Sequence, residues 1–185
     1  MTDRTLVKLM RFMEKVSAPV YRLHPAALML LTVLFCIIAV SLGLTYGLRR
    51  PARSAGAVRA RNISLLLSCF LTGFGLFRPF APSFSSSFSF TKPVLLLAGA
   101  AVSAVSVIAQ LAAGNALSAL QQLFSLCGAV TIAASHSAMR EPFGGAVFFA
   151  VMLAVYCLII CAVNSVMGRY RPEDIDDIEI NRKLL

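Results

Sequence analysis

Charge is scarce in this 185-residue chain, at 14% of residues against about a quarter in soluble domains. No ionisable side chain stands in the middle of any long apolar run. That absence argues against an intramembrane proton relay, a voltage sensor or a carboxylate-coupled ion pump, because an ionisable group at bilayer depth costs at least about 2.5–3.5 kcal/mol. Histidine is scarcer still, with His24 ahead of the first apolar run and His136 near the end of the fourth. Both read as hydrogen-bonded interfacial residues. There is no HExxH pair, no Walker loop and no pair of carboxylates near the end of an apolar run, so the sequence points to no catalytic residue, no metal site and no cofactor. The acidic cluster Glu173, Asp174, Asp176, Asp177 and Glu179 lacks the glycine and spacing of a calcium loop.

Cysteines outside the apolar runs are also missing. Cys36, Cys69, Cys127, Cys157 and Cys161 all fall inside hydrophobic segments, which excludes the extramembrane framework of a disulfide-rich secreted domain. Cys157 and Cys161 share a helix face, but no His or carboxylate lies near them in sequence. All five read as reduced, small packing residues of the core.

What the chain has in abundance is apolar length: 58% of residues are hydrophobic and the mean hydropathy is +0.81. The runs are spread along the sequence, so the expected fold is all-α, a polytopic transmembrane helical bundle of about five spans. Their bounds are 26–48, 62–78, 93–113, 116–139 and 143–167, within a bundle covering 23–168. Residues 1–22 are expected to form an amphipathic interfacial helix, with Leu6, Leu9, Met10, Met13 and Val16 on one side and Lys8, Arg11, Glu14 and Lys15 elsewhere around it. Residues 169–185 are expected to be an exposed charged tail.

Local signals mark these boundaries. Pro25 suits the first position of a helix, and residues 26–48 run uncharged for long enough to cross about 30 Å of hydrocarbon. Tyr21 and Tyr46 bracket that run as interfacial aromatics would. The second run is short and reaches membrane length only with help from its flanks, including a snorkelling Arg78. Pro79, Pro82 and the Ser/Phe alternation up to Phe90 break the helix into a greasy interfacial loop. Gly114-Asn115 makes a tight turn that joins the third and fourth spans into a hairpin.

The formal net charge of +9 comes from residues beside apolar runs, and reads as membrane orientation and anionic-lipid contact, with no nucleic-acid partner. Arg49, Arg50, Arg53, Arg59 and Arg61 form a short loop without an acid, the strongest cytoplasmic signal in the chain and the expected topology and lipid-contact residues. Five alternating spans nevertheless place eight Lys and Arg on one side and nine on the other. Such balance leaves three arrangements: the amino-terminal helix lies outside, one segment is re-entrant, or the chain inserts both ways and pairs antiparallel with itself.

One uncharged polar seam remains. Gly99, Ser103, Ser106 and Gln110 lie on one face of the third span, and Ser118, Gln121, Ser125 and Gly128 on one face of the fourth. The hairpin lets these faces meet, with Gln122 and Asn164 as further polar contributors. Close packing of small residues, with hydrogen bonds across the helices, is the ordinary use of such a seam. A weakly polar site for an uncharged or zwitterionic solute is the alternative. The sequence therefore reads as a non-enzymatic, multi-pass protein of a bacterial cytoplasmic membrane. Its expected role is as an accessory or assembly subunit whose partners are the lipid bilayer and another membrane protein or a second copy. A small solute transporter or channel is the runner-up.

Overall fold

A computed structural model describes residues 19–49, 55–77, 91–139 and 145–169, together with Lys8, Arg11 and Lys15. Most of the expected amino-terminal helix, the Ser/Phe stretch at 83–90 and the charged tail lie outside the described residues. Lys8, Arg11 and Lys15 are helical and exposed.

The described residues form five long helices: α1 (Pro25–Arg49), α2 (Ala55–Leu76), α3 (Thr91–Ala112), α4 (Ala116–Ala138) and α5 (Ala146–Met167). The described residues contain no strand. Four of the five (α1, α3 from Lys92, α4 and α5) are long and apolar enough to cross a membrane, the signature of a multi-pass membrane protein. The expected span 62–78 falls on α2, which does not meet that measure. α2 is long enough at 22 residues, but Arg59, Arg61 and Asn62 dilute its apolar character.

Local chemistry explains where the helices begin and turn. The His24 carbonyl accepts the first bond of α1, from Leu28 N–H at 3.1 Å. Its ring Nδ1 accepts the otherwise orphaned Ala26 N–H at 3.3 Å, so Pro25 occupies the first helical position, where its missing N–H is harmless. At the α3–α4 turn Gly114 adopts φ 70°. Asn115 N–H returns to Gln110 O at 2.8 Å and Gly114 N–H to Leu111 O at 2.9 Å. This nested pair closes α3 as a Schellman motif, and it requires a left-handed residue that glycine adopts without steric cost.

The most apolar stretch of α4 is 56% buried and that of α3 only 11%, so α4 is the central helix and α3 the peripheral one. α4 packs chiefly on α1, and α3 chiefly on α2. The core lies where α2, α4 and α5 meet. Phe149 stacks on Phe77 at 4.3 Å and takes the edge of Phe74 at 5.1 Å, beside Leu65, Cys69, Ile132, Leu153 and Ile160. Cys69, Cys157 and Cys161 are buried and Cys36 is half-buried, but Cys127 is exposed on α4, which corrects the expectation of five core thiols. Tyr46 departs from the expected interfacial belt as well, because it is 4% exposed and turned into the bundle.

α2 and α3 touch at Gly99. A Cβ there would lie 2.6 Å from Thr72 Oγ1 and 2.9 Å from the Thr72 backbone nitrogen, which cannot swing aside. Gly99→Ala should therefore cost about 1–3 kcal/mol by forcing the helices apart. Gly56→Ala, where nothing lies within 4 Å, should be neutral or stabilise by about 0.5–1 kcal/mol. Reversible unfolding in mixed detergent micelles checks both, and equal effects at the two glycines would contradict the close contact.

Candidate functional site

The densest polar cluster sits one to two turns inside one end of the bundle, where α1 and α5 end and α2 and α4 begin. Arg61, the seventh residue of α2, is at its centre. Its Nη2 donates to Gln121 Oε1 on α4 and, at 2.9 Å, to Asn164 Oδ1 on α5. Its guanidinium also lies 4.4 Å from the centroid of the Tyr46 ring on α1. Four helices therefore meet on one side chain.

The amides around it bond one another and the backbone. Gln121 is fully buried, and its Nε2 donates to Ala39 O at 2.9 Å and Asn164 Oδ1 at 3.0 Å. Asn164 Nδ2 donates to Asn62 Oδ1 at 3.0 Å. Asn62 Nδ2 in turn donates to Ser165 Oγ at 3.0 Å and Cys161 O at 3.3 Å. These bonds fix the orientation of the Gln121 carboxamide, since flipping it would turn an NH2 toward the guanidinium. The cluster needs a bare backbone opposite it. A Cβ on Gly43 would come within 2.5 Å of Gln121 Nε2 and 3.0 Å of Asn164 Oδ1.

A second string of polar groups runs between α2, α3 and α4. Gln122 Nε2 donates to Ser68 Oγ at 2.8 Å, Ser64 Oγ to Ser106 Oγ at 2.6 Å, and Gln110 Nε2 to Ser106 Oγ at 2.9 Å. The hydroxyls of Thr72, Ser103 and Ser118 and the amide oxygens of Gln110 and Gln122 are buried without a hydrogen-bond partner. Ser125 bonds only the carbonyl of Gln121 on its own helix, at 2.7 Å.

The structure thus divides the expected seam. Gln121 and Asn164 come together around Arg61. Ser106 of α3 and Gln122 of α4 reach α2 in the bonds just described, whereas Gln110 bonds Ser106 on its own helix. Arg49 closes α1 and is exposed, as is Arg59 on α2, while Arg50 and Arg53 lie outside the described residues. Arg61 corrects the expectation of a loop extending to residue 61: Ala55–Arg61 are helical, and Arg61 points into the bundle. Asn62, Ser64, Ser68 and Tyr46 were also missed. The recurrence of Arg61, Ser64, Ser68 and Thr72 at three, four and four residues carried the signal for a polar helix face.

A cavity of about 20 Å³, lined by Gly43, Tyr46, Gly47, Val58, Arg61, Asn164, Met167 and Gly168, adjoins the cluster. It has room for about one water molecule and none for an organic solute. Neither a family model, a curated protein nor a solved structure matches the chain.

Removing one acceptor should be worse than removing the whole group. Gln121→Leu should destabilise by about 1–2 kcal/mol, because it leaves a half-buried guanidinium short of an acceptor. Adding Arg61→Met to that variant should recover part of the loss. A double-mutant cycle in mixed micelles checks the coupling, and strictly additive effects would mean that the two side chains do not interact.

Proposed function

We propose that this chain is a non-enzymatic protein of a cell membrane that works as an accessory or assembly subunit. All five helices cross the bilayer in this reading, with α2 as the fifth span. At about 33 Å its 22 residues match the hydrocarbon thickness, and Arg61, Asn62, Ser64 and Ser68 turn to other helices. The observation that carries the proposal is the closure of the Arg61 cluster. Its amides bond the guanidinium, one another and the backbone, beside a cavity of only about 20 Å³, an arrangement that suits holding helices together better than binding a substrate. The outward faces of α1 and α3, with Leu30, Val33 and Ile37 on one and Val94, Val105 and Ile108 on the other, suit lipid or a membrane-embedded partner.

A second reading, a small transporter or channel for an uncharged solute, draws support from the unpartnered buried oxygens of Ser103, Gln110, Ser118 and Gln122. Purification from its native membrane in mild detergent separates the two. An accessory subunit should elute with a different polypeptide, at a mass well above that of the 19.9 kDa chain. Elution of the chain by itself, with solute uptake by reconstituted liposomes that Gln110→Leu abolishes, would transfer the conclusion to the transporter.

A further inference from the structure

The outward face of the peripheral helix α3 has an internal symmetry. Gly99 and Ser106 meet α2. On the opposite side α3 exposes Val94, Leu97, Ala101, Ala104, Ile108 and Leu111, at steps of three and four residues that keep them in one stripe. Their sizes read the same from either end: two large residues, two alanines, two large residues. The centre of the stripe falls between Val102 and Ser103, one residue from the middle of the 22-residue helix, so in a span it lies close to the bilayer midplane.

Such an order fits an inverted copy of the same chain. When a two-fold axis in the membrane plane relates two antiparallel helices, positions equidistant from the axis meet. An axis at the centre of the stripe sets Ala101 against Ala104 of the second copy, where small side chains let the backbones approach closely. It also sets Leu97 against Ile108 and Val94 against Leu111. Both copies share one bilayer only if the axis lies at the midplane, and the centre of the stripe meets that condition. A parallel pair would make no demand on the order of sizes, because each residue would meet its own counterpart.

The charge distribution permits both orientations. With all five helices spanning, Lys and Arg divide eight to nine between the two sides, which leaves almost no bias to orient the chain, and acidic residues count little toward orientation. This step rests on the reading above in which α2 crosses. We propose that the chain inserts in both orientations and that the outward face of α3 docks on the same face of an inverted second copy.

Two measurements in intact cells test this, in a Cys127→Ser background that removes the exposed thiol. Differently tagged Leu97→Cys and Ile108→Cys chains are co-expressed and treated with a membrane-permeant oxidant. The inverted pair should give a disulfide-linked dimer carrying both tags. Each variant expressed alone should give none, because like positions stand about 16 Å apart along the antiparallel helices, beyond the reach of a disulfide. Ala101→Leu with Ala104→Leu, both on the outward face, should abolish the mixed dimer. Dimers from either variant alone, the lack of a mixed dimer, or a mixed dimer that survives both leucines overturns the docking. The second measurement uses Ser54→Cys with Ser86→Cys, one position before α2 and one after it. An impermeant maleimide is applied and its site mapped by peptide mass. Five spans in two orientations should give one label per chain, at position 54 in roughly half of the chains and at position 86 in the rest. One label at the same position in every chain keeps the five spans and overturns the two orientations. Two labels or none on each chain means that α2 does not cross, which overturns the span reading and, with it, the charge balance behind the proposal.

Discussion

A guanidinium drawn inside a helical bundle must be solvated by the protein, and that requirement organises one end of this molecule. Arg61 can sit there only if two amide oxygens and an aromatic face replace the water it gives up. Gln121 and Asn164 supply the oxygens and Tyr46 the face, each from a different helix. The registers of α1, α2, α4 and α5 are thereby coupled, since sliding any one helix by a turn would strip the charge of a partner. Gly43 follows from the same constraint, because the fully buried Gln121 needs backbone, with no side chain, opposite it. Apolar packing between these helices is permissive about register, whereas charge solvation is not.

The rest of the bundle depends on this cluster with decreasing strictness. α4 is central, so it carries polar residues on two sides, Gln121 toward the Arg61 cluster and Gln122 toward Ser68. α3 is held mainly by α2 through glycine contact and a serine pair, and leaves Val94, Leu97, Val105 and Ile108 exposed. At the far end aromatic stacking joins a few hydrogen bonds, with Phe77 on Phe149, His136 5.3 Å from Phe148, and Thr32 Oγ1 2.8 Å from Thr131 Oγ1. The molecule thus has its charge-centred polar cluster at one end and its aromatic core at the other. Such an internal arrangement supports a role in assembly better than one in moving solutes.

The helices were legible because apolar length is a one-dimensional property. Residues 116–139 read as a span and form α4, and Gly114-Asn115 read as a turn because few residues other than glycine take φ near 70° readily. Arg61 was not legible in the same way. An arginine following Arg49, Arg50, Arg53 and Arg59 reads as one more loop charge, and only its three-residue spacing from Ser64 hinted at a helix face. The seam residues were found, but their partners were not. Sequence connectivity suggests that α3 faces α4 across their short turn, yet Gly75 and Gly99 let α2 come closer to α3, and α1 fits α4 at Ala39 and Gly43 and α5 at Gly47. Shape complementarity of that kind appears only when all the surfaces are known.

The most direct test of the organising role of Arg61 is nitrogen-15 NMR of the arginine side chains in detergent micelles, with Arg61 assigned by the resonance that Arg61→Lys removes. A guanidinium held by Gln121 and Asn164 should show separate, exchange-protected Nη signals, while exposed Arg49, Arg59 and Arg169 show averaged ones. Averaged, rapidly exchanging Nη signals from Arg61 would contradict the interior placement and leave the register of the four helices without its cause.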